Sequence, residues 1–495
     1  MRVNSLVVVL LSLVSVPDCL LGATIRVPLM EPTIQAGVDA AATGDTVLVA
    51  PGVYRGYENK RISFYGRDIV LLSETGPEST IIDIEGFGEP DQGFRIEHGE
   101  TAAAVIDGFT VRHGYLETGA GAGMLIGNAS PTVRNCIFTD NWMGSAYNDV
   151  QGGAVAIANG SPTFTNCSFI NNRVWFFGEP PGFWSTGGAV YFQEASLQFK
   201  SCTFQSNEAI GVGGSGAGGA IGGYGSSLSL SNCAFYGNAA DLEAGGLGFS
   251  GSDVIIDNTI FAFNESGSTG GAVLASLSTL QVNNCTFYGN AADQAGGLLL
   301  WTSNILIENT IVAFSERGGA IRCVSQGEDI VLRCSNLFGN TGGDWTEPCI
   351  ATQFGSEGNI SLNPLFCDAG GGDLHLDVSS PCAPENAPPG CGLIGALDVG
   401  CGTTAAQETV SPPVSGLQIL RNPARGTAEF EIVPVQGQAL EIYEVSGRLI
   451  DRLLLTGGNS RVAWKPSAST SPGIYFARLR SSGESVGVKF ILLPR

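Results

Sequence analysis

The sequence predicts an all-β chain: a long parallel β-helix solenoid followed by a small β-sandwich. Three observations predict it. Of 495 residues, 70 are glycine, about twice the ordinary share. A Gly-Gly pair and an Asn-Cys-x-Phe motif recur in phase through the middle of the chain. Within each unit the apolar residues alternate, as half-buried strands do.

The glycine pairs stand at 152–153, 187–188, 218–219, 245–246, 270–271, 296–297 and 318–319, each followed by small or aliphatic residues. The second motif carries Cys136, Cys167, Cys202, Cys233 and Cys285, with Thr259 and Thr310 as substitutes and Cys334 ending the series. Phe138, Phe169, Phe204, Phe235, Phe261 and Phe287 lie two residues further on. An asparagine closes each motif at 141, 172, 207, 238, 264 and 290, and Ser315 breaks that pattern. The period is 24 to 35 residues, room for roughly three short strands and their turns. Each unit is therefore one coil, and coils stack at ~4.8 Å. The phenylalanines are expected to form an inward stack. The asparagines are expected to bond turn backbone and one another along it. The five ladder cysteines share the phenylalanine parity, and the reading makes them small buried thiols. Disulfides among them are the alternative.

The composition excludes other classes. Abundant glycine opposes long helices. A net charge of −22 opposes phosphate neutralisation, so no nucleic acid is expected. The 43% apolar content can bury a core, which opposes disorder.

The Gly-Gly-Ala-Val/Ile and Phe-x-x-Asn signatures resemble chlamydial polymorphic outer-membrane protein repeats over about 120–340. The resemblance implies a right-handed parallel β-helix and a secreted or surface adhesin. The chain departs from that family at its end, where no autotransporter barrel is evident.

Residues 1–23 read as a secretory leader: Arg2, an apolar stretch Leu6 to Val16, and Leu21-Gly22-Ala23 at the cut. No transmembrane segment is expected in the mature chain. Residues 24–115 form the N-terminal cap and first coils. The amphipathic stretch Thr33 to Ala42, with Val47-Leu48-Val49 and Pro51-Gly52-Val53-Tyr54, resembles the opening of secreted pectate-lyase-like proteins. Residues 116–345 hold the repeated coils. Residues 346–402 form a cysteine-rich cap, and Cys323, Cys349, Cys367, Cys382, Cys391 and Cys401 are the disulfide candidates, with pairings open. Residues 403–416 read as a linker. In 417–495, short alternating strands with glycine turns suggest a β-sandwich, with an immunoglobulin-like accessory domain as the plain reading. Asn422-Pro423, Tyr443 to Arg448, Trp464 and Pro472-Gly473-Ile474-Tyr475 resemble sorting domains of the type IX secretion system. That implies export machinery as a partner and a cell-surface or secreted location in a bacterium with an outer membrane. The tail carries ten basic and six acidic residues, residues 24–416 thirteen and thirty-nine.

Catalysis has little support. Lyases of this fold class need a basic residue beside acidic Ca²⁺ ligands, and hydrolases need paired carboxylates. From Ser201 to Ser315 there is no lysine or arginine. Asp253 and Asp257 read as a solvated face, and His98, His113 and His375 are scattered. No cofactor is expected, with Ca²⁺ open only through the lyase alternative. The connection after each closing asparagine is long at 142–151, 173–186 and 208–217 and short afterwards. Insertions on one face of a repeat protein are a common binding surface. They carry Trp142, Tyr147, Trp175, Phe176, Phe177, Phe183 and Trp184. Such aromatics stack on sugars or anchor proteins. The expectation is a binding or adhesive role toward glycan or protein. A polysaccharide-active enzyme and a structural surface component are the alternatives.

Overall fold

The computed structural model describes residues 22–86, 89–178, 184–212, 216–301, 304–324 and 329–402, and in the tail 417–419, 424–425, 427–432, 439–444, 449–455, 461–467, 470, 473–480 and 485–493. The leader reading lies almost wholly outside these residues, and the linker reading wholly so.

The chain winds into a solenoid with three parallel ladders. The first has 12 strands, from Thr24–Val27 to Ile330–Arg333. The second has 11, from Gly52–Tyr54 to Asn336–Phe338. The third begins at Phe94–Ile96 and runs through Val155–Ala158, Val190–Gln193, Ile221–Tyr224, Leu247–Ser250 and Val273–Ser276 to Ala291–Trp301. Equivalent residues face one another coil after coil, as in Phe169↔Phe204 and Phe235↔Phe261.

In-register stacking gives the core its order. The rings of Phe138, Phe169, Phe204, Phe235, Phe261 and Phe287 lie face to face, with successive centroids 5.2, 4.7, 4.6, 4.5 and 4.9 Å apart. Burying each ring contributes about 2–3 kcal/mol. The closing asparagines form a buried amide ladder. Asn172 Nδ2 donates to Asn207 Oδ1 at 3.0 Å and to the Phe138 carbonyl at 2.9 Å. Asn172 Oδ1 accepts from Asn141 Nδ2 and from its backbone N–H. Ser315 does not end the ladder, because its hydroxyl donates to Asn340 Oδ1 at 2.6 Å.

In five of the seven pairs the first glycine takes the left-handed region, as at Gly187 (φ +67°), and a Cβ on the second, Gly188, would meet the Gly219 carbonyl oxygen at 2.1 Å. The 245–246 and 296–297 pairs are out of phase by one, the latter because Leu298 pairs with Val273. Leu247 pairs with Ile221, so Ala244 (φ 53°) holds the place of Gly218.

The ladder cysteines Cys136, Cys167, Cys202, Cys233 and Cys285 are buried and free. Thr259 and Thr310 fill the same slot and donate their hydroxyls to the carbonyls of Asp257 and Glu308. The last step differs from the sequence reading. Ile311 pairs with Asn336, so Ser335 holds the inward slot. Cys334 sits at the corner before it (φ 47°), where Asn309 sits one coil earlier (φ 48°). From that corner it reaches Cys391.

The ends are closed differently. The helix Ile34–Ala40, capped by Thr33, buries Ile34 and Val38 in the solenoid core. At the far end three disulfides join Cys323 to Cys349, Cys334 to Cys391 and Cys367 to Cys401. Cys382, expected in a bridge, is instead a buried free thiol that accepts from Asn336 Nδ2 at 3.1 Å. The described tail residues form a three-stranded and a five-stranded sheet around Phe430, Leu440, Ile442, Trp464 and Leu479. Asn422, Pro423, Val445 to Arg448 and Pro472 lie outside the described residues.

A candidate ligand-binding cleft beside the third ladder

The one-sided insertions are not loops. Each folds out as a strand and back as another. Trp142–Ser145, Arg173–Phe176 and Glu208–Gly211 pair in parallel as an outer wing. The returning segments Val150–Gln151, Ser185–Thr186 and Gly216–Ala217 form a three-stranded sheet of their own. Between the two lies a separate apolar cluster of Met143, Val150, Val174, Phe176, Ala209 and Ala240. The wing tapers to Ala239–Ala240 and Glu265–Ser266, then merges with the third ladder in the single strand Ala291–Trp301.

The returning sheet walls a cleft of about 440 Å³ against the third ladder. Its wall offers Asp149, Gln151, Trp184, Thr186, Ala217 and Glu243. The register explains the row: Gln151 pairs with Thr186, Thr186 with Ala217, and Ala217 bridges to Glu243. The facing ladder offers Tyr191, Tyr224, Ser250, Leu274, Ser276 and Trp301. Tyr224, Ser250, Ser276 and Trp301 form one row of paired residues. Three strand steps separate the two rings, about 14 Å at ~4.8 Å per step. The next row inward is Tyr191, Gly222, Gly248 and Leu274. A Cβ on Gly222 would meet Thr186 Cγ2 at 2.7 Å, so a side chain there would push the wall off the floor.

The rings of Trp184, Tyr224 and Trp301 are 45%, 45% and 50% exposed. Trp184 is held by its backbone N–H, which donates to Asp149 Oδ1 at 2.7 Å. Tyr191 is buried, its hydroxyl 3.1 Å from Gln193 Oε1, and its ring meets Tyr224 edge-on. Burial, then the Tyr224 hydrogen bond and the Asp149 charge, raise the Tyr191 phenol well above its ordinary value. Burial also raises the Glu243 carboxyl. Asp241, just behind the wall, is raised by burial although it accepts from the backbone N–H groups of Gly211 and Gly216. The lining can stack rings on a flat ligand and accept hydrogen bonds at carboxylates and hydroxyls.

Of the sequence-predicted aromatics, only Trp184 lines the cleft. Phe176 is fully buried in the wing cluster, so it presents nothing to a ligand. Trp142 and Trp175 are half-buried and stack 6.1 Å apart along the wing, with Arg173 over Trp175. Tyr147 and Phe177 are exposed but off the cleft, and Phe183 lies outside the described residues. Tyr191, Tyr224, Glu243 and Trp301 were missed. Tyr224 and Trp301 lie five and four residues beyond a glycine pair, at a phase where other coils carry Ala158, Gln193, Ser250 and Ser276.

The histidines are dispersed: His113 pairs with Asp83 at 2.9 Å and His375 with Asp373 at 2.7 Å. No group of three metal-ligating side chains occurs among the described residues. None of the described helices is long and apolar enough to cross a membrane.

No curated protein matches the sequence. Among solved structures, a mutant of the PL6 family alginate lyase AlyGC is similar at 14% identity and a TM-score of 0.35. That match covers 82% of this chain but only 60% of that one. The family profile described as "Right handed beta helix region" matches residues 75–217 and 148–312. The profile match falls within the in-register parallel ladders, and the chain is an all-β parallel β-solenoid over these residues.

Proposed function

We propose that this chain is an extracellular glycan-binding protein whose ligand lies in the cleft between the returning sheet and the third ladder. One observation carries the reading: three partly exposed aromatic rings, Trp184, Tyr224 and Trp301, border a single cleft with carboxylates and hydroxyls between them. Aromatic faces take the apolar face of a sugar, and polar side chains between them take its hydroxyls. Tyr224 and Trp301 end stacked strands and Trp184 directly precedes one, so little ordering cost accompanies binding. The three disulfides suit an oxidising compartment. The leader-like residues 1–23 and the sorting-domain resemblance of the tail support export to the cell surface. A protein-binding adhesin, implied by the chlamydial resemblance, uses the same rings as anchors.

The test is a soluble-glycan panel read by calorimetry on the mature chain. Trp184→Ala and Trp301→Ala are each expected to weaken binding about tenfold or more with melting unchanged. Unchanged affinity in both variants overturns the site.

A second reading, hydrolysis of the bound glycan, is favoured by the two carboxylates, Asp149 and Glu243, in one cleft and by the raised Glu243 carboxyl. A reducing-sugar assay in which Glu243→Gln abolishes product formation would establish it.

A further inference from the structure

We infer that the cleft selects uncharged glycans and excludes uronic-acid polymers. The inference rests on the glycan-binding reading above and names the ligand class for the same site. Its carrying observation is the charge of the lining. The cleft holds Asp149 and Glu243 and no lysine, arginine or histidine. The sequence between Ser201 and Ser315, which supplies most of the facing ladder, has no basic residue. The arginines of the neighbouring coils are paired elsewhere: Arg322, in register with Leu299 on the coil beyond the cleft, lies 3.0 Å from Glu347. Arg173 lies 3.4 Å from Glu208 and over the Trp175 ring, and Arg317 lies 2.9 Å from Glu265 and 3.0 Å from Asp293.

A uronate in this cleft would meet like charge with no counter-ion. Such juxtaposition in a part-buried site is strongly unfavourable and weakly screened. An uncharged pyranose brings hydroxyl donors, which carboxylates accept well. Gln151, Thr186, Ser250 and Ser276 complete the polar lining. Polymers of neutral hexoses or pentoses therefore fit the site. Alginate- and pectate-like chains do not.

The experiment compares neutral and uronic oligosaccharides of matched length on the full mature chain at low and high ionic strength. Neutral oligosaccharides are expected to bind at least about tenfold tighter than uronates. High salt should narrow the gap by helping uronates and leave neutral binding unchanged. The double variant Asp149→Asn/Glu243→Gln, checked for unchanged melting, is expected to gain uronate affinity several-fold. Uronates binding as well as or better than neutral sugars overturns the inference and leaves the glycan-binding reading standing. So does tighter binding of a cationic amino-sugar oligomer than of the neutral chain. Neutral preference that survives the double variant unaltered also overturns it, because selection then arises elsewhere. No binding of either class overturns both.

Discussion

The Asn207 side-chain amide donates to the Phe169 carbonyl one coil back at 3.0 Å, inside a core where both residues are fully buried. The same amide donates to Asn238 Oδ1 at 2.9 Å, and its oxygen accepts from Asn172. Asn207→Ala is expected to orphan groups on the coils before and after it. The cost is about 3 kcal/mol or more, since each buried unpaired group costs ~1–3. Asn207→Asp should cost more, because it sets a carboxylate against two acceptors. A urea midpoint that falls without a change in slope checks this.

Phe176 and Trp184 came from one insertion and are expected to separate cleanly. Phe176→Ala removes the largest ring of the wing cluster, at about 3–5 kcal/mol. Trp184→Ala removes a ring 45% exposed, so it should lower affinity with little change in melting. Calorimetric melting and binding on both variants check the pair.

Six thiols should resist alkylation in the native state and all react once the chain unfolds. They are the five ladder cysteines and Cys382. Burial pushes the Cys285 thiol up to about 12 and Cys382 up to about 11, so little thiolate is present at neutral pH. Peptide mapping without reduction should return 323–349, 334–391 and 367–401 as the bridges. A bridge containing Cys382 would refute the arrangement.

Glu243 should make stability depend on pH. Burial raises its carboxyl in the folded state, so folding favours the protonated form. That contribution is complete below the unfolded value, ~4.3, and is lost as pH rises through the folded value. Glu243→Gln is therefore expected to melt higher than the parent at pH 7, with the gap closing below about pH 4. Melting series without ligand check it.

The solenoid was legible because its signals repeat. Phe138 and Asn141 recur in phase, and one period-2 pattern names the inward faces of every coil. The cleft was less legible. The lengths of 142–151 and 173–186 marked the right side of the molecule, yet length alone does not say that an insertion folds into strands. Phe176 went into the wing cluster because Met143 and Val174 give it an apolar partner surface, while Trp184 stays partly exposed at the cleft edge. Tyr224 and Trp301 flank Ser250 and Ser276 in a row whose residue type varies from coil to coil, and Glu243 reaches the wall through a bridge between coils. Such pairings exist only once the register is known. Cys334 misled by one residue because corner and inward slots are neighbours in sequence.

The paired row from Tyr224 to Trp301 makes the solenoid a ruler. Each coil in this stretch adds one step of ~4.8 Å between the two rings. Thr279 stands one coil on from Asp253. Excising residues 253–278 would therefore rejoin Ser252 to Thr279 in the same phase and leave the row as Tyr224, Ser250 and Trp301. The span of ligand that fits between the rings is thus counted in whole coils, and repeat number becomes a dial for chain length.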